Sequence, residues 1–445
     1  MADKSIDITN FAKFEETAPA AGPSWLRSLR AQARDHLTRD GFPTTKNEEW
    51  RFTRLRPLLA RDFHLEKRYR ANGLSAGDLS ELTFPDQDCH RVVLVNGNHA
   101  KGLSAVGRLP KGVLVESMKN VLCDKPALLK KYLARHADPT KNPFVALNTA
   151  HLTDGVFVYI PKGITVEEPI HLLFYSASRK GSPMSHPRTL IVAEEQSTAT
   201  IIESYTGHEG DVYFSNPVTE IVVGDGVSLD HYKIQKESRS AYHTATLQAR
   251  LGRDIRFRTD FLSFGGELVR NDVNTYLDGE GIDCTLNGLY VARGHQHVDN
   301  HTNIDHARPH CDSYELYKGI LSGRARAVFN GKIHVHPDAQ KTDAKQSNAC
   351  ILLSDNAQIN TNPQLEIYAD DVKCTHGAVV GQIDEKAVFY MRSRGIDKVE
   401  ARHMLIHAFA NQVIEQVKVD PLRDRLAADL SEWLSNPETE LPDTH

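Results

Sequence analysis

The sequence has few cysteines and no long apolar run, and both scarcities narrow the classes of protein that it can encode. Its six cysteines, at positions 89, 123, 284, 311, 350 and 374, never form a CxxC pair, so neither a disulfide framework nor a zinc knuckle is indicated. No stretch approaches the roughly 18 apolar residues of a membrane-spanning helix, and Met1–Glu16 is polar and acidic without the apolar segment of a secretory signal. We therefore expect a cytoplasmic protein with reduced thiols and no membrane partner.

A surplus of basic residues is also missing. The chain has 53 Lys and Arg against 58 Asp and Glu, a formal net charge of -5 over 445 residues. Such a balance gives no positive field to attract phosphates, so nucleic acid is not expected as a partner.

A chain of this length is too long for one ordinary hydrophobic core unless one unit is elongated and repetitive.

Motifs of nucleotide and acyl chemistry are absent as well. Gly331-Lys332 is followed by Ile333 and lacks the glycine spacing of a P-loop, no Gly-x-Gly-x-x-Gly opens a helix, and there is no Gly-x-Ser-x-Gly. We expect a chain with no nucleotide site of its own that is not an enzyme.

Three regions can be distinguished by their patterns. Residues 1–150 are mixed: the spacing of Trp25, Leu26, Leu29 and Leu37 predicts an amphipathic helix that ends near Gly41. Residues 151–392 contain more than a dozen short β-rich runs with turn residues between them, such as the runs 156–160, 171–175, 189–193, 219–223 and 228–234.

A sandwich pair, a propeller or a β-helix could each hold so many short strands. A propeller should show a fixed repeat of roughly 40 to 50 residues, and none is present. Polar residues inside the runs, as in Leu229–Lys233, favour stacked coils over hairpins, so we predict a mainly β fold with a β-helix core over 151–392.

Residues 393–445 return to a helical pattern. One apolar stripe runs from Ile396 to Val417 and stops at Asp420-Pro421, and a second includes Leu422, Leu426 and Trp433. Either both stripes pack on the end of the β unit, or they form a docking surface for a partner.

Histidines are concentrated between His295 and His310, with His334 and His336 further on. A cupin-like metal site needs a Glu shortly after a His-x-His, and no Glu lies between Glu280 and Glu315. Solvated or coil-stacking histidines explain the cluster without a metal. A metal-dependent β-fold enzyme that uses the His295–His310 cluster remains a second hypothesis.

Cys374 and His376 form the other candidate site. If the segment Val372–Gly377 is a strand, these two residues project from the same face, as two metal ligands must. A thiolate with an imidazole suits iron, zinc or copper(I), although two ligands do not complete a tetrahedral site. A buried thiol beside an incidental histidine is the structural alternative.

The run Asn362–Ala378, NPQLEIYADDVKCTHGA, resembles the signature of the SufB/SufD family of iron-sulfur cluster assembly proteins. The segments Gly331–Ile333, Gln340–Ala344 and Met391–Ile396 are similar to the same family. Within it, Asn47–Thr53 is similar to the pattern of the D-type subunit, SufD, and the cysteine-rich N-terminal motif of many B-type subunits is absent.

The resemblance implies a right-handed parallel β-helix, flanked by an N-terminal mixed and helical region and a C-terminal helical region. It implies a non-ATPase scaffold in a complex with a SufB-like subunit and a SufC-like ABC ATPase, which docks on residues 393–445. It also implies that the nascent Fe-S cluster forms at the interface of the B-type and D-type β-helices. Cys374 and His376 are then candidate ligands that hold iron or the nascent cluster transiently.

Two further expectations accompany this resemblance. The exposed ends of a β-helix allow a homodimer of the isolated chain. A third hypothesis is a purely structural subunit that positions its partners and ligates nothing.

Overall fold

The computed structural model describes residues 22–66, 74, 89–178, 181–436 and 439. Met1–Glu16, on which part of the expectation about localisation rests, lies outside these residues. No helix in the described ranges is long and apolar enough to cross a membrane. None of the six cysteines forms a disulfide.

Eight α-helices and twenty-two strands are assigned within these ranges. The helices are α1 (Ser24–Asp40), α2 (Arg56–Leu59), α3 (Met118–Asp124), α4 (Pro126–Tyr132), α5 (Pro143–Ala150), α6 (Glu385–Ser393), α7 (Lys398–Ile414) and α8 (Asp420–Ser435). The strands are β1 (Phe63–Leu65), β2 (His90–Val95), β3 (Asn98–His99), β4 (Leu114–Ser117), β5 (Gly155–Ile160), β6 (Ile170–Ser176), β7 (Ser182–Ser185), β8 (Arg188–Ala193), β9 (Thr198–Gly207), β10 (Phe214–Ser215), β11 (Val218–Val223), β12 (Ser228–Lys236), β13 (Tyr242–Leu251), β14 (Arg256–Ser263), β15 (Leu268–Leu277), β16 (Asp283–Ala292), β17 (His297–His306), β18 (Asp312–Leu321), β19 (Arg326–Val335), β20 (Asp343–Leu352), β21 (Gln358–Ile367) and β22 (Lys373–Gly381).

The strands form two sheets, and most successive strands alternate between them. Sheet A has the order β21-β19-β17-β15-β13-β11-β8-β5-β4 with β1, β7 and β10 beside it, and sheet B has the order β22-β20-β18-β16-β14-β12-β9-β6-β2-β3. We call one strand of each sheet, with its connections, a coil. About eight coils stack in parallel, which confirms the predicted parallel β-helix.

The length of a coil varies along the chain. The coil that leads from Tyr242 to its register partner Leu268 is shorter than the coil that leads from Arg326 to its partner Gln358. This variation explains why no fixed repeat is visible in the sequence.

Side chains alternate between the interior of the coil stack and its two outer faces. The interior holds a continuous apolar cluster that includes Leu247, Val273 and Ile304 of sheet A with Phe257 and Leu286 of sheet B. Because inner positions between the terminal coils are covered by the coil above and the coil below, even strands with many polar outer residues are stabilised by burial.

Polar groups also occupy part of this interior. The Nζ atom of Lys233 lies 2.8 Å from Nε2 of His243 and 2.7 Å from Oδ1 of Asn271. Burial lowers the pKa of Lys233 to about 7, and the carboxylates of Glu203 and Glu237 oppose that shift. Lys233 belongs to the run whose polar residues favoured stacked coils, and its interior partners explain how such residues are accommodated.

The N-terminal region covers the outer face of sheet A. Trp50 and Phe144 pack with Phe214, Tyr242 and Leu268 in one apolar cluster. The helix predicted before Gly41 is confirmed as α1, which buries Leu26, Ala33 and Leu37.

The C-terminal helices cover the outer face of sheet B. Leu426, Leu430 and Trp433 of α8 belong to one buried cluster with outward residues of sheet B, such as Tyr232 and Leu262. The two stripes therefore pack on the outer face of sheet B, which presents the wide apolar surface. The expectation that they pack on the end of the β unit is wrong. The helical part begins at Glu385, before residue 393, where the sequence pattern predicts its start.

Candidate functional site

The two candidate ligands Cys374 and His376 lie on β22, the last strand of sheet B. The segment from Lys373 is a strand as predicted, so the two side chains share a face. β22 pairs with β20 on one side, and no other described strand pairs with its opposite side. The pair therefore lies at the open end of the coil stack.

Cys374 points toward the apolar interior. It pairs in register with Ala344, and its half-buried side chain packs against the central apolar cluster. Burial raises the pKa of the Cys374 thiol, although a hydrogen bond from the backbone of Ala344 opposes the shift. A metal that binds here must displace the thiol proton.

His376 continues a row of inward positions in sheet B. It pairs with Gln346, which pairs with Glu315 in the preceding strand. Gln346 Nε2 donates a hydrogen bond of 2.7 Å to Glu315 Oε2. Both of these residues are buried, whereas His376 is exposed, because no further coil covers the last strand.

A third ligand is not assembled around this pair. In the part of the chain that the structure describes, no group of three potential ligands includes Cys374 or His376. A thiol and an imidazole at an open edge can hold a soft or borderline metal only together with ligands from elsewhere.

The histidines between His295 and His310 do not converge on one site. His297 and His301 point outward from β17, whereas His306 points inward and lies 2.9 Å from Ser313 Oγ. His295 lies in an exposed turn, and His310 occupies a turn position with φ of 58°. These positions give no support to an enzyme site built from this cluster.

The outward histidines instead bind the N-terminal region to sheet A. Nδ1 of His301 lies 3.0 Å from Glu49 Oε2, and its Nε2 lies 3.0 Å from Asp299 Oδ1. Burial alone lowers the pKa of His301, but Asp299 and Glu49 raise it above its ordinary value. Thr53 Oγ1 lies 2.8 Å from His297 Nε2. These contacts dock the Asn47–Thr53 segment.

Sequence reasoning did not find these N-terminal contacts. The sequence predicts the Asn47–Thr53 segment only as a pattern similar to that of the D-type subunit. Trp50 is buried, and the Arg270 guanidinium lies 4.3 Å from its ring centroid. The sequence signal was the acidic pair Glu48-Glu49 beside Trp50, but the partners of this segment lie on β15 and β17, far along the chain.

Comparisons with known proteins agree with the fold. The family model described as "SUF system FeS cluster assembly, SufBD core domain" matches residues 174–409, and "SufBD protein N-terminal region" matches residues 6–172. The β22 pair falls within the core-domain match.

Relatives match along most of the chain. The chain is 34% identical to an iron-sulfur cluster assembly SufBD family protein of Synechocystis sp. over 411 residues, which cover 91% of this chain and 90% of that protein. It is 30% identical to SufD of Escherichia coli, with 91% and 92% covered, and 27% identical to SufD of Bacillus subtilis, with 95% and 97% covered. Since the core-domain model spans more than half of a chain that also folds as stacked parallel coils, this chain belongs to the SufBD family of iron-sulfur cluster assembly proteins and is similar to its SufD members.

Proposed function

We propose that this chain is a non-ATPase scaffold subunit of a SUF-type assembly complex and has no catalytic role of its own. Cys374 and His376 bind iron or a nascent iron-sulfur cluster as cargo, and so contribute to iron acquisition and cluster assembly. The observation that carries this proposal is an incomplete Cys-x-His ligand pair on the open terminal strand of a family member.

The chemistry of the pair fits a transient site. Thiolate and neutral imidazole are the ligating forms, and both compete with protons. The raised pKa of Cys374 means that an apo site holds a protonated thiol, which favours release of the cargo. Assembly should weaken as pH falls, because protons compete with the metal for both ligands.

A SufB-like subunit completes the site by pairing with the edge of β22. Lys373 donates its backbone N–H to Thr342 of the neighbouring segment, so by alternation Cys374, His376 and Ala378 point their N–H groups toward the open edge. Such an edge accepts an added strand. The partner's ligands then lie next to Cys374 and His376, and a second copy of this chain can pair there in isolation.

The open edge of sheet A is less suited to pairing. Gln358 of β21 donates its N–H toward β19, so the backbone N–H groups of odd-numbered residues point toward the open edge. Pro363 is one of these residues and has no N–H. Proline is a usual protection of an edge strand. The contrast favours β22 as the pairing edge.

A SufC-like ATPase docks on the C-terminal helices. Phe389 and Tyr390 of α6 are 73% and 59% exposed, and Val399 and Met404 of α7 are 54% and 47% exposed. Large apolar groups at such exposure typically indicate a protein interface. The buried faces of α7 and α8 attach them to sheet B, so force on the helices reaches the coils.

The test is co-expression of this chain with SufB-like and SufC-like subunits, followed by measurement of subunit stoichiometry and of cluster reconstitution. His376→Ala should assemble the three-protein complex but lose most cluster formation, whereas His295→Ala, which removes another exposed imidazole, should behave as wild type. If the Cys374→Ala and His376→Ala variants both form cluster at the wild-type rate, the chain has only a structural role in the complex and ligates nothing. Failure to bind either partner would overturn the proposal.

A further inference from the structure

Three potential metal ligands meet on the outer face of sheet A. Asp305 of β17 pairs in register with His334 of β19, and His336 follows two residues after His334. Their inward neighbours Ile304 and Ile333 are fully buried, so alternation directs Asp305, His334 and His336 outward. This group is separate from Cys374 and His376, which belong to the other sheet.

The ligand atoms are already close. Oδ1 of Asp305 lies 3.2 Å from Nδ1 of His334 and 2.7 Å from Nε2 of His336. All three ligand atoms lie within 4.8 Å of one another, and this is the one such group of three among the described residues. The imidazole centroids are 4.4 Å apart.

These distances are near those that a metal requires. Ligands at about 2.0–2.1 Å from a shared ion are roughly 2.8–3.4 Å from one another in octahedral or tetrahedral geometry. The 3.2 Å separation fits that range, and the 2.7 Å separation needs only a small outward movement of His336. The His336 side chain is 37% exposed, so it has room for that movement.

Asp305 is the carboxylate that contacts the two histidines, and the neighbouring carboxylate of Glu366 does not compete with it. Glu366, the register neighbour of His334 on β21, pairs with Lys332 at 2.7 Å instead of with the histidines. The ring of Tyr368 stands edge-on to His334, with centroids 5.6 Å apart, which restricts the orientation of that imidazole. The side chains of Asp305 and His334 are 23% and 25% exposed, so a metal would reach the group from solvent.

We propose that Asp305, His334 and His336 bind one divalent transition-metal ion of the Fe²⁺ and Zn²⁺ class. Two imidazoles and one carboxylate, with the other positions open, are a donor set typical of these ions, and the set is too nitrogen-rich for Mg²⁺ or Ca²⁺. His334 binds through Nδ1 and His336 through Nε2, so in each ring the other nitrogen carries the proton. The proposal goes beyond the role of the β22 pair and does not depend on it.

The experiment titrates the full chain, stripped of metal by a chelator, with Co²⁺ as an optical probe and then with Zn²⁺ in competition. Wild type should bind one equivalent of Co²⁺ at this site, and the absorption of that Co²⁺ should lack thiolate charge transfer. His334→Ala/His336→Ala should lose at least about tenfold in affinity, because one of three ligands remains. Melting temperature with and without Zn²⁺ gives a second readout, since binding to the folded state raises it.

Two control variants separate this site from others. His295→Ala/His310→Asn removes two exposed imidazoles elsewhere, with asparagine tolerated at the positive φ of His310, and should bind as wild type. Cys374→Ser/His376→Ala should also keep this binding, while any thiolate band that it removes reports the β22 pair alone. Equal Co²⁺ affinity in wild type and in His334→Ala/His336→Ala would overturn the proposal, as would no binding to wild type.

Discussion

Glu315 lies inside the coil stack with its carboxyl group removed from solvent. Burial raises its pKa from 4.5 to about 7, while hydrogen bonds from Thr302 and Gln346 partly oppose the shift. A carboxyl whose pKa is raised by folding stabilises the protein most at low pH. That contribution is lost as pH rises from the unfolded value through the folded one.

Glu315→Gln should remove this dependence. Between pH 4 and pH 8 the wild-type free energy of unfolding should fall by about 3 kcal/mol more than that of the variant, as measured by urea denaturation across the pH range. Glu167→Gln, at an exposed position, should keep the wild-type slope. Parallel pH profiles for wild type and Glu315→Gln would contradict the assignment.

At the residue scale, the sequence predicts which side chains share a face of one strand. The shared face of Cys374 and His376 needs only a strand and a period of two. The triad of Asp305, His334 and His336 was not predicted, because Asp305 reaches the histidines only through the register of β17 and β19. Nothing in the sequence near Asp305 gives the offset of that pairing.

The helices α6 and α7 combine a buried face with an exposed apolar one. Val388 is 2% exposed, whereas its neighbour Phe389 is 73% exposed. Side chains on different faces of one short helix thus serve the core and the outer surface separately. A polar substitution at Phe389 can therefore test docking without damage to the core.

Phe389→Asp should weaken binding of the SufC-like ATPase by about 30-fold, the effect of losing an interface residue worth about 2 kcal/mol. The free energy of unfolding should change by no more than about 0.5 kcal/mol, as for most surface substitutions. Isothermal titration calorimetry with the ATPase measures the first quantity. Tyr314→Asp, at a tyrosine that is 40% exposed on β18, is the matched control; an equal loss there would argue against a specific docking surface.

The C-terminal helices with a clear apolar periodicity could be predicted from the sequence, but the residue at which the helical region begins could not. The two apolar stripes, Ile396–Val417 and the one that includes Leu422, predict α7 and α8 because buried helical positions recur every three to four residues. The start of α6 was missed because Val379, Val380, Val388 and Phe389 continue the apolar texture of the strands. The Asp384 side chain accepts a hydrogen bond from the backbone of Lys386, and this N-cap was the available signal.

In the whole molecule, exposed apolar residues are concentrated on the last strands and on the helices that follow them. Of eleven large hydrophobic residues that are exposed in the described ranges, eight lie between positions 367 and 404: Ile367, Tyr368, Val379, Val380, Phe389, Tyr390, Val399 and Met404. Val379 and Val380 lie on β22, the strand with the free backbone edge. The terminal strand therefore offers both strand pairing and apolar contact.

Ala378→Pro should abolish pairing at that edge, because proline removes an N–H that points away from β20 and leaves the bonds to β20 intact. Analytical ultracentrifugation should show less homodimer, and co-purification with a SufB-like subunit should be lost. Ala378→Val keeps the N–H and should pair normally. Retention of both assemblies by Ala378→Pro would place the interface elsewhere.

The stacked architecture was predictable in kind but not in register. Polar residues within β-rich runs favour stacked coils over hairpins, and some of them are interior groups such as Lys233. The choice of which run pairs with which depends on the length of each coil, and this length differs between the β13–β15 and β19–β21 pairings. Coil lengths are set by turns whose sequences share no fixed signature.

The position of α7 and α8 along the chain has a consequence for synthesis. They cover outward residues of sheet B that occur as early as Ile202, yet they are translated after every coil. At roughly 5–20 residues per second, the ribosome needs on the order of 10–50 s to proceed from Ile202 to Leu434. During that interval the outer face of sheet B is an uncovered apolar surface on a nascent chain, and we expect it to be the segment that chaperones bind.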